Sequence, residues 1–260
     1  MARNNDTISK ILTVTLLLCV VCSIIVSSAA VILKPQKEAN IAIDRMTNIL
    51  AAAGLYKEDV DIHEQFANVD TRVVDLTTGQ FTSEVDPAIY DQRKAAKTPA
   101  DSVELNDTQD IAKIGRREKF SLVYIINDDQ GELSKLILPV RGYGLWSTLH
   151  GFIALDADLN TVAGLGFYEH GETPGLGGEV DNPKWKALWP GKRVRDKNNA
   201  VSLHLVKGRV DTDKPGSEYQ VDGLSGATLT SKGVSNLVRF WMGENGFGPF
   251  LTNLKNEEVK

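Results

Sequence analysis

Ser121-Leu122-Val123-Tyr124-Ile125-Ile126-Asn127, then Asp128-Asp129-Gln130-Gly131, then Leu133 to Val140 (LSKLILPV) is the stretch whose reading decides the fold. Two runs rich in β-formers flank a cluster of turn residues, the pattern of a β-hairpin. Working outward, Gly151–Leu155 and Thr161–Phe167 flank Asp156–Asn160 in the same way, and Ser202–Lys207 adds a short strand. Residues 59–115 are polar and weakly patterned; within them Thr71–Leu76 reads as a strand and Ala95–Asp110 as a long exposed loop. Helical spacing appears at Gln36–Ala53, where Ile43, Met46, Ile49, Leu50 and Ala53 share a face and Gly54 supplies a stop. Asn182–Leu188 predicts a short helix with Pro183 in its first turn. Ala227–Met242 predicts a longer one, striped by Val234, Leu237, Val238, Trp241 and Met242 and ended by Gly243. Hairpins with helices at the margins predict an α+β domain, an antiparallel sheet flanked by helices.

Ile11 to Leu33 cannot belong to a water-soluble core. These 23 residues carry no charge. As a helix they span roughly 35 Å, enough to cross a hydrocarbon layer of about 30 Å. Lys34 and Pro35 are read as the end of the run, and no second run of this kind follows. A cleaved signal peptide is the rival, with Arg3 and Lys10 as basic leader and Ser27-Ser28-Ala29 before the cut. The apolar stretch is longer than the ~7–15 residues of a signal core, which favours an uncleaved anchor. Flanking charges barely differ between the two ends, so orientation is open; the short leading tail makes an exported domain the ordinary outcome.

Beyond residue 33 the chain holds 27 basic and 33 acidic residues. That balance, without a basic stripe carrying aromatics, does not point to nucleic acid. Cys19 and Cys22 both lie in the apolar run and lack the other ligands a metal site needs. His63, His150, His170 and His204 are scattered and form no ligand cluster in sequence. There is no G-x-S-x-G elbow, no P-loop and no G-x-G-x-x-G opening a βαβ unit.

Three glycine-bearing segments stand apart from the sheet. They are Gly142–Ser147 (GYGLWS), His170–Gly178 (HGETPGLGG) and Asp222–Thr228 (DGLSGAT), the last opening the long helix. Glycines there let backbone amides approach a ligand. A loop entering a helix leaves free N–H groups where the dipole favours an anion, with Ser225 read as the N-cap and the Thr228 hydroxyl in the first turn. Taken alone, Ser-Gly-Ala-Thr reads as an ordinary cap and turn.

Asp222, Ser225, Gly226, Ala227 and Thr228 resemble the flavinylation motif of the FMN-binding domain family. Glu172-Thr173-Pro174-Gly175-Leu176-Gly177 resembles that family's second signature, and Gly142–Trp146 its aromatic-bearing loop. With the single N-terminal span, their order and spacing are similar to the C subunits of sodium-translocating NADH:quinone reductases. The resemblance implies that a flavin transferase places FMN on Thr228 through its phosphate, cradled by Ser225, Gly226 and Ala227. It implies that Asp222 serves attachment or fixes the turn, and that Glu172, Thr173, Gly175 and Leu176 belong to the flavin site. Tyr143 or Trp146 covers a ring face or is ordinary core, and Lys207 stabilises an anionic flavin or is plain surface. No residue is expected to be catalytic or to bind metal.

The same resemblance implies an electron relay among subunits: one with FAD and iron–sulfur centres, one with a second covalent FMN, and NADH bound elsewhere than here. The expected organisation is a tail at 1–10, a transmembrane anchor at 11–33, a helical and irregular part at 34–118 and an FMN-binding domain at 119–260. The bacterial inner membrane would hold the anchor, with the domain in the periplasm. Two rivals remain: the FMN subunit of a ferredoxin:NAD oxidoreductase complex, and an anchored envelope module that binds a ligand without redox chemistry.

Overall fold

A computed structural model describes residues 7–258, so Arg3 of the basic leader lies outside the described residues. The chain divides into two units, residues 1–44 and 45–260. Residues 7–44 are exposed and almost wholly helical. They belong to helix α1 (Ile8–Ala52), which among the described residues alone has the length and apolar character to cross a membrane. An apolar helix exposed on every side is one that lipid would cover. Contrary to expectation, Pro35 does not end it. Proline removes one helical hydrogen bond, at a cost of about 3 kcal/mol in a helix interior. Uninterrupted helix-compatible sequence on both sides carries the helix through. Its true end is the expected glycine: Gly54 takes φ +71°, with Gly54 N–H donating to the Ala51 carbonyl at 3.0 Å and Leu55 N–H to Leu50 at 2.9 Å. That is a Schellman closure.

The second unit is built on one sheet. After helix α2 (Ile62–Phe66) come strands β1 (Val69–Asp75) and β2 (Gln80–Thr82), helix α3 (Gln92–Ala95) and strands β3 (Ser102–Glu104) and β4 (Arg116–Glu118). Four longer strands follow: β5 (Phe120–Asn127), β6 (Leu133–Tyr143), β7 (Thr148–Asp156) and β8 (Val162–Glu169). Helix α4 (Pro183–Lys186), strands β9 (His204–Leu205) and β10 (Gln220–Val221), and helices α5 (Thr228–Met242) and α6 (Gly248–Glu258) complete the chain. The main sheet runs β2-β1-β5-β6-β7-β8, antiparallel throughout.

Both faces of this sheet are covered, which is why β5 reads as a continuous apolar run rather than an alternation. On one face Val123, Leu136, Leu138 and Ile153 pack with Val234, Leu237, Val238 and Trp241 of α5. On the other, Tyr124, Ile137, Phe152 and Ala154 pack with Ile49, Ala52 and Ala53 at the end of α1. The antiparallel sheet flanked by helices is therefore as expected. The loop expected at Ala95–Asp110 is instead partly ordered, with β3 pairing β4 through Ser102↔Glu118. There Glu118, fully buried, accepts from Arg141 at 2.7 Å and from Gln92 at 2.6 Å.

Candidate functional site

The first turn of α5 carries three hydroxyls with different fates. Thr230, fully buried, donates to Glu172 Oε2 at 2.7 Å. Ser231, also buried, donates to the Ala227 carbonyl at 3.0 Å and accepts from the Leu224 amide at 2.9 Å. Thr228 is exposed, and its hydroxyl bonds to no protein group among the described residues. The helix's own hydrogen bonds begin with Ser231 N–H to Ala227 at 3.0 Å, so the amides of Thr228, Leu229 and Thr230 have no intrahelical acceptor. Ser225 is exposed and is not the N-cap; Ala227 holds that position and offers no side chain to the amides. The expected cap fails because Gly226, at φ +70°, turns the chain between Ser225 and the helix. One free hydroxyl thus stands beside uncapped amides at the positive end of a 15-residue helix.

Glu172, in the second glycine segment, ties the first segment to the first turn of α5. One carboxylate oxygen accepts from the amides of Leu145, Trp146 and Ser147 at 3.0, 2.9 and 3.2 Å, and the other from Thr230. Only 4 % of the residue is exposed. Burial by itself would raise its pKa, but the Thr230 hydroxyl and the three amides outweigh that and hold the carboxyl below its ordinary value. The packing requires glycine at 177, where a Cβ would lie 2.6 Å from Thr230 Oγ1 and 2.7 Å from Glu172 Oε2. Behind Glu172, His170 Nδ1 accepts from its amide at 3.2 Å while Nε2 faces Asp181 at 2.7 Å. With donors on both oxygens, Glu172 positions the loop and the helix.

Beside Thr228 opens a groove of about 1230 Å³. Thr228, Ser225, Gly226, Asp222 and Lys207 all line it. So do Lys184, Arg209, Lys232 and Arg239, and among the described residues none of these five cations makes an ion pair. The carboxylates of the groove are engaged: Asp222 accepts from the Val210 amide at 2.8 Å and Glu179 from Asn182 at 2.7 Å. An exposed hydroxyl beside unclaimed amides suits a phosphate-bearing group.

The other expected residues stand outside the groove. Ala227 is buried. Leu176 reaches over Gly226, where a Cβ would meet its Cδ2 at 2.9 Å. Tyr143, Trp146 and Leu176 are 40, 66 and 44 % exposed, so they are surface rather than core. Thr173 and Gly175 are on the same loop as Leu176, and Gly175 is exposed there. Sequence reasoning missed Lys184, Arg209, Lys232 and Arg239, and took Thr230 and Ser231 only as the next candidate attachment hydroxyls after Thr228. The helical spacing of 228, 232, 235 and 239, opposite the apolar stripe, was the available signal.

A family model described as FMN-binding domain matches residues 144–243. The C subunit of the Na(+)-translocating NADH-quinone reductase of Pseudomonas aeruginosa is 53 % identical over 260 residues, covering 98 % of this chain and 99 % of that one. The Yersinia pestis protein of the same name is 45 % identical, covering 99 % and 97 %. The crystal structure of Shewanella oneidensis NqrC matches with TM-score 0.76 at 38 % identity, covering 82 % of this chain and 98 % of that one. Identity at this level over the full length leaves one conclusion: the chain belongs to the NqrC family, the C subunits of the Na(+)-translocating NADH-quinone reductase, an oxidoreductase complex.

Proposed function

We propose that this chain is an electron-relaying subunit of a sodium-pumping NADH:quinone reductase, with FMN bonded through its phosphate to Thr228. The observation that carries the assignment is the hydroxyl comparison in α5. Thr230 and Ser231 are buried and hydrogen-bonded, whereas Thr228 is exposed and unengaged at uncapped amides. When bound, FMN supplies the redox chemistry, and the protein supplies placement and electrostatics. Ser225, Gly226 and the first-turn amides would hold the phosphate, with Lys207 offering positive charge nearby. Thr173, Gly175, Leu176, Tyr143 and Trp146 would meet the apolar ring system, on the loops that Glu172 fixes. Asp222, bonded to the Val210 amide, would fix the turn from which Thr228 is presented.

Residues 1–10 would form the tail, 11–33 the anchor, 34–118 the first part of the water-facing domain and 119–260 the FMN-binding domain. The anchor would sit in the inner membrane with the domain in the periplasm, where a flavin transferase loads it. Its electron partners would be the FAD and iron–sulfur subunit and the subunit with the second covalent FMN; NADH would bind on another chain. Co-expression with a flavin transferase tests the assignment. Wild type should give a flavin-fluorescent band in a denaturing gel, and Thr228→Ala should lose nearly all of it. A Thr228→Ala chain that keeps the fluorescence would overturn the reading.

A further inference from the structure

Residues 45–260 hold 25 basic and 31 acidic side chains, so the surface as a whole is acidic. The groove beside Thr228 departs from this, with five cations and no ion pair among them in the described residues. Along α5 the groove-lining positions Thr228, Lys232 and Arg239 follow helical spacing, with Ser235 between them. The row extends about 16 Å from Thr228, at 1.5 Å per residue. Lys184 of α4, with Lys207 and Arg209 of the loop after β9, also lines the groove. The attachment signature ends at Thr228, so Lys232, Arg239, Lys184 and Arg209 are not part of it. The apolar exposed residues Leu176 and Trp146 do not line the groove.

We propose that this cationic groove is the recognition surface for the enzyme that loads the flavin, which meets it with an acidic face. The inference rests on Thr228 being the attachment residue. An enzyme that esterifies Thr228 must cover the surface around its hydroxyl, and that surface is this groove. Its charge suits an encounter that happens once and ends. Complementary charge raises association rates and is screened by salt, without the large apolar contact of a permanent interface. Subunits already held together in one membrane complex have no such need for steering. In the loading step the Thr228 Oγ–phosphorus bond forms and the phosphoanhydride bond of the flavin dinucleotide donor breaks. The nucleoside monophosphate leaves and the hydroxyl proton passes to its phosphate; no electrons are transferred.

The test is initial-rate loading of the full chain in detergent by a purified flavin transferase with FAD and magnesium, at varied potassium chloride. Wild type should lose about tenfold in kcat/KM for the acceptor chain between low and physiological salt. Lys232→Gln/Arg239→Gln should lose about tenfold at low salt, through a higher KM for the acceptor, with a flatter salt dependence. Lys232→Glu/Arg239→Glu should lose more, and Lys184→Gln should follow the same trend less strongly. All should still reach one flavin per chain at completion, with thermal midpoints near wild type. A salt-independent wild-type rate, or variants with unchanged acceptor KM, would overturn the proposal. So would a rise confined to the KM for FAD, which would place the donor itself in the groove. Wild-type chain that never acquires flavin would fail the attachment assignment instead, a distinguishable result.

Discussion

Among single residues, Glu172 links the most parts of the site, through four donors on one buried carboxylate. Glu172→Ala should destabilise the domain by about 3 kcal/mol or more, since buried donors left unpaired cost roughly 1–3 kcal/mol each and cannot all relax. Glu172→Gln keeps an acceptor for the amides and should cost about 1 kcal/mol. Denaturant midpoints of the pair, read beside flavin content, check this; equal midpoints would mean that the carboxylate is not the link. His150 supplies a pH dependence. Its imidazole is pushed down from 6.5 to about 4 by burial first and by the Arg93 cation second. Arg93 Nη2 lies 3.4 Å from His150 Nε2, and Arg93 is paired to Glu169 at 2.6 Å. Between pH 6.5 and 4 the unfolded state binds the proton that the folded state refuses, so this contribution is full above pH 6.5 and lost as pH falls toward 4. The loss should be on the order of 1 kcal/mol, below the unscreened value because the ring is partly solvated. Thermal midpoints from pH 7 to 4 should fall less steeply in His150→Gln than in wild type; parallel curves would exclude His150 as the cause.

At the level of elements, legibility follows burial. Strands β5 to β8 are readable because both faces of the sheet are covered and the strands are apolar between turn residues. The α5 stripe is readable because its buried positions repeat at helical spacing. Pro35 reads as a stop and is not one: its local penalty is real, but helix-compatible sequence on both sides outweighs it. Residues 95–110 read as loop because β3 is three residues long, too short for a pattern. Ser225 fits the cap rule, yet Gly226 at positive φ moves the cap to Ala227. At the site, Thr228 is legible from its motif; the role of Glu172 is not, because its partners are amides 25 to 27 residues away and a hydroxyl 58 residues away. The element that presents Thr228 is held by packing. Leu237, fully buried in the core cluster with β6, should cost about 2–5 kcal/mol as Leu237→Ala. Because the same helix begins at Thr228, loading of the folded fraction should also slow; a cost under about 1 kcal/mol would show that α5 is not anchored through this residue.

For the whole molecule, the apolar helix and the sheet domain are separable in composition and in structure. Deleting residues 1–33 should give a chain that stays in solution without detergent, since what remains carries 27 basic and 33 acidic residues and no second apolar run. It should still accept flavin, because none of the site residues lies in the deleted segment; a truncated chain that folds but cannot be loaded would put part of the site in the anchor. Protease added to intact spheroplasts should cut the domain of the full chain, and protection until lysis would place it in the cytoplasm. The central claim is that flavin sits on Thr228 and nowhere else. Trypsin cutting after Arg209 and Lys232 releases peptides within Val210–Lys232, a stretch whose serines and threonines are Thr212, Ser217, Ser225, Thr228, Thr230 and Ser231. Fragmentation of the peptide bearing Thr228, from flavin-loaded protein, is the most direct measurement. The expected result is one increment, the mass of FMN less water, borne by fragments that include Thr228 and absent from those ending at Ala227 or beginning at Leu229. An increment on Thr230 or Ser231, or on a peptide elsewhere in the chain, would contradict it.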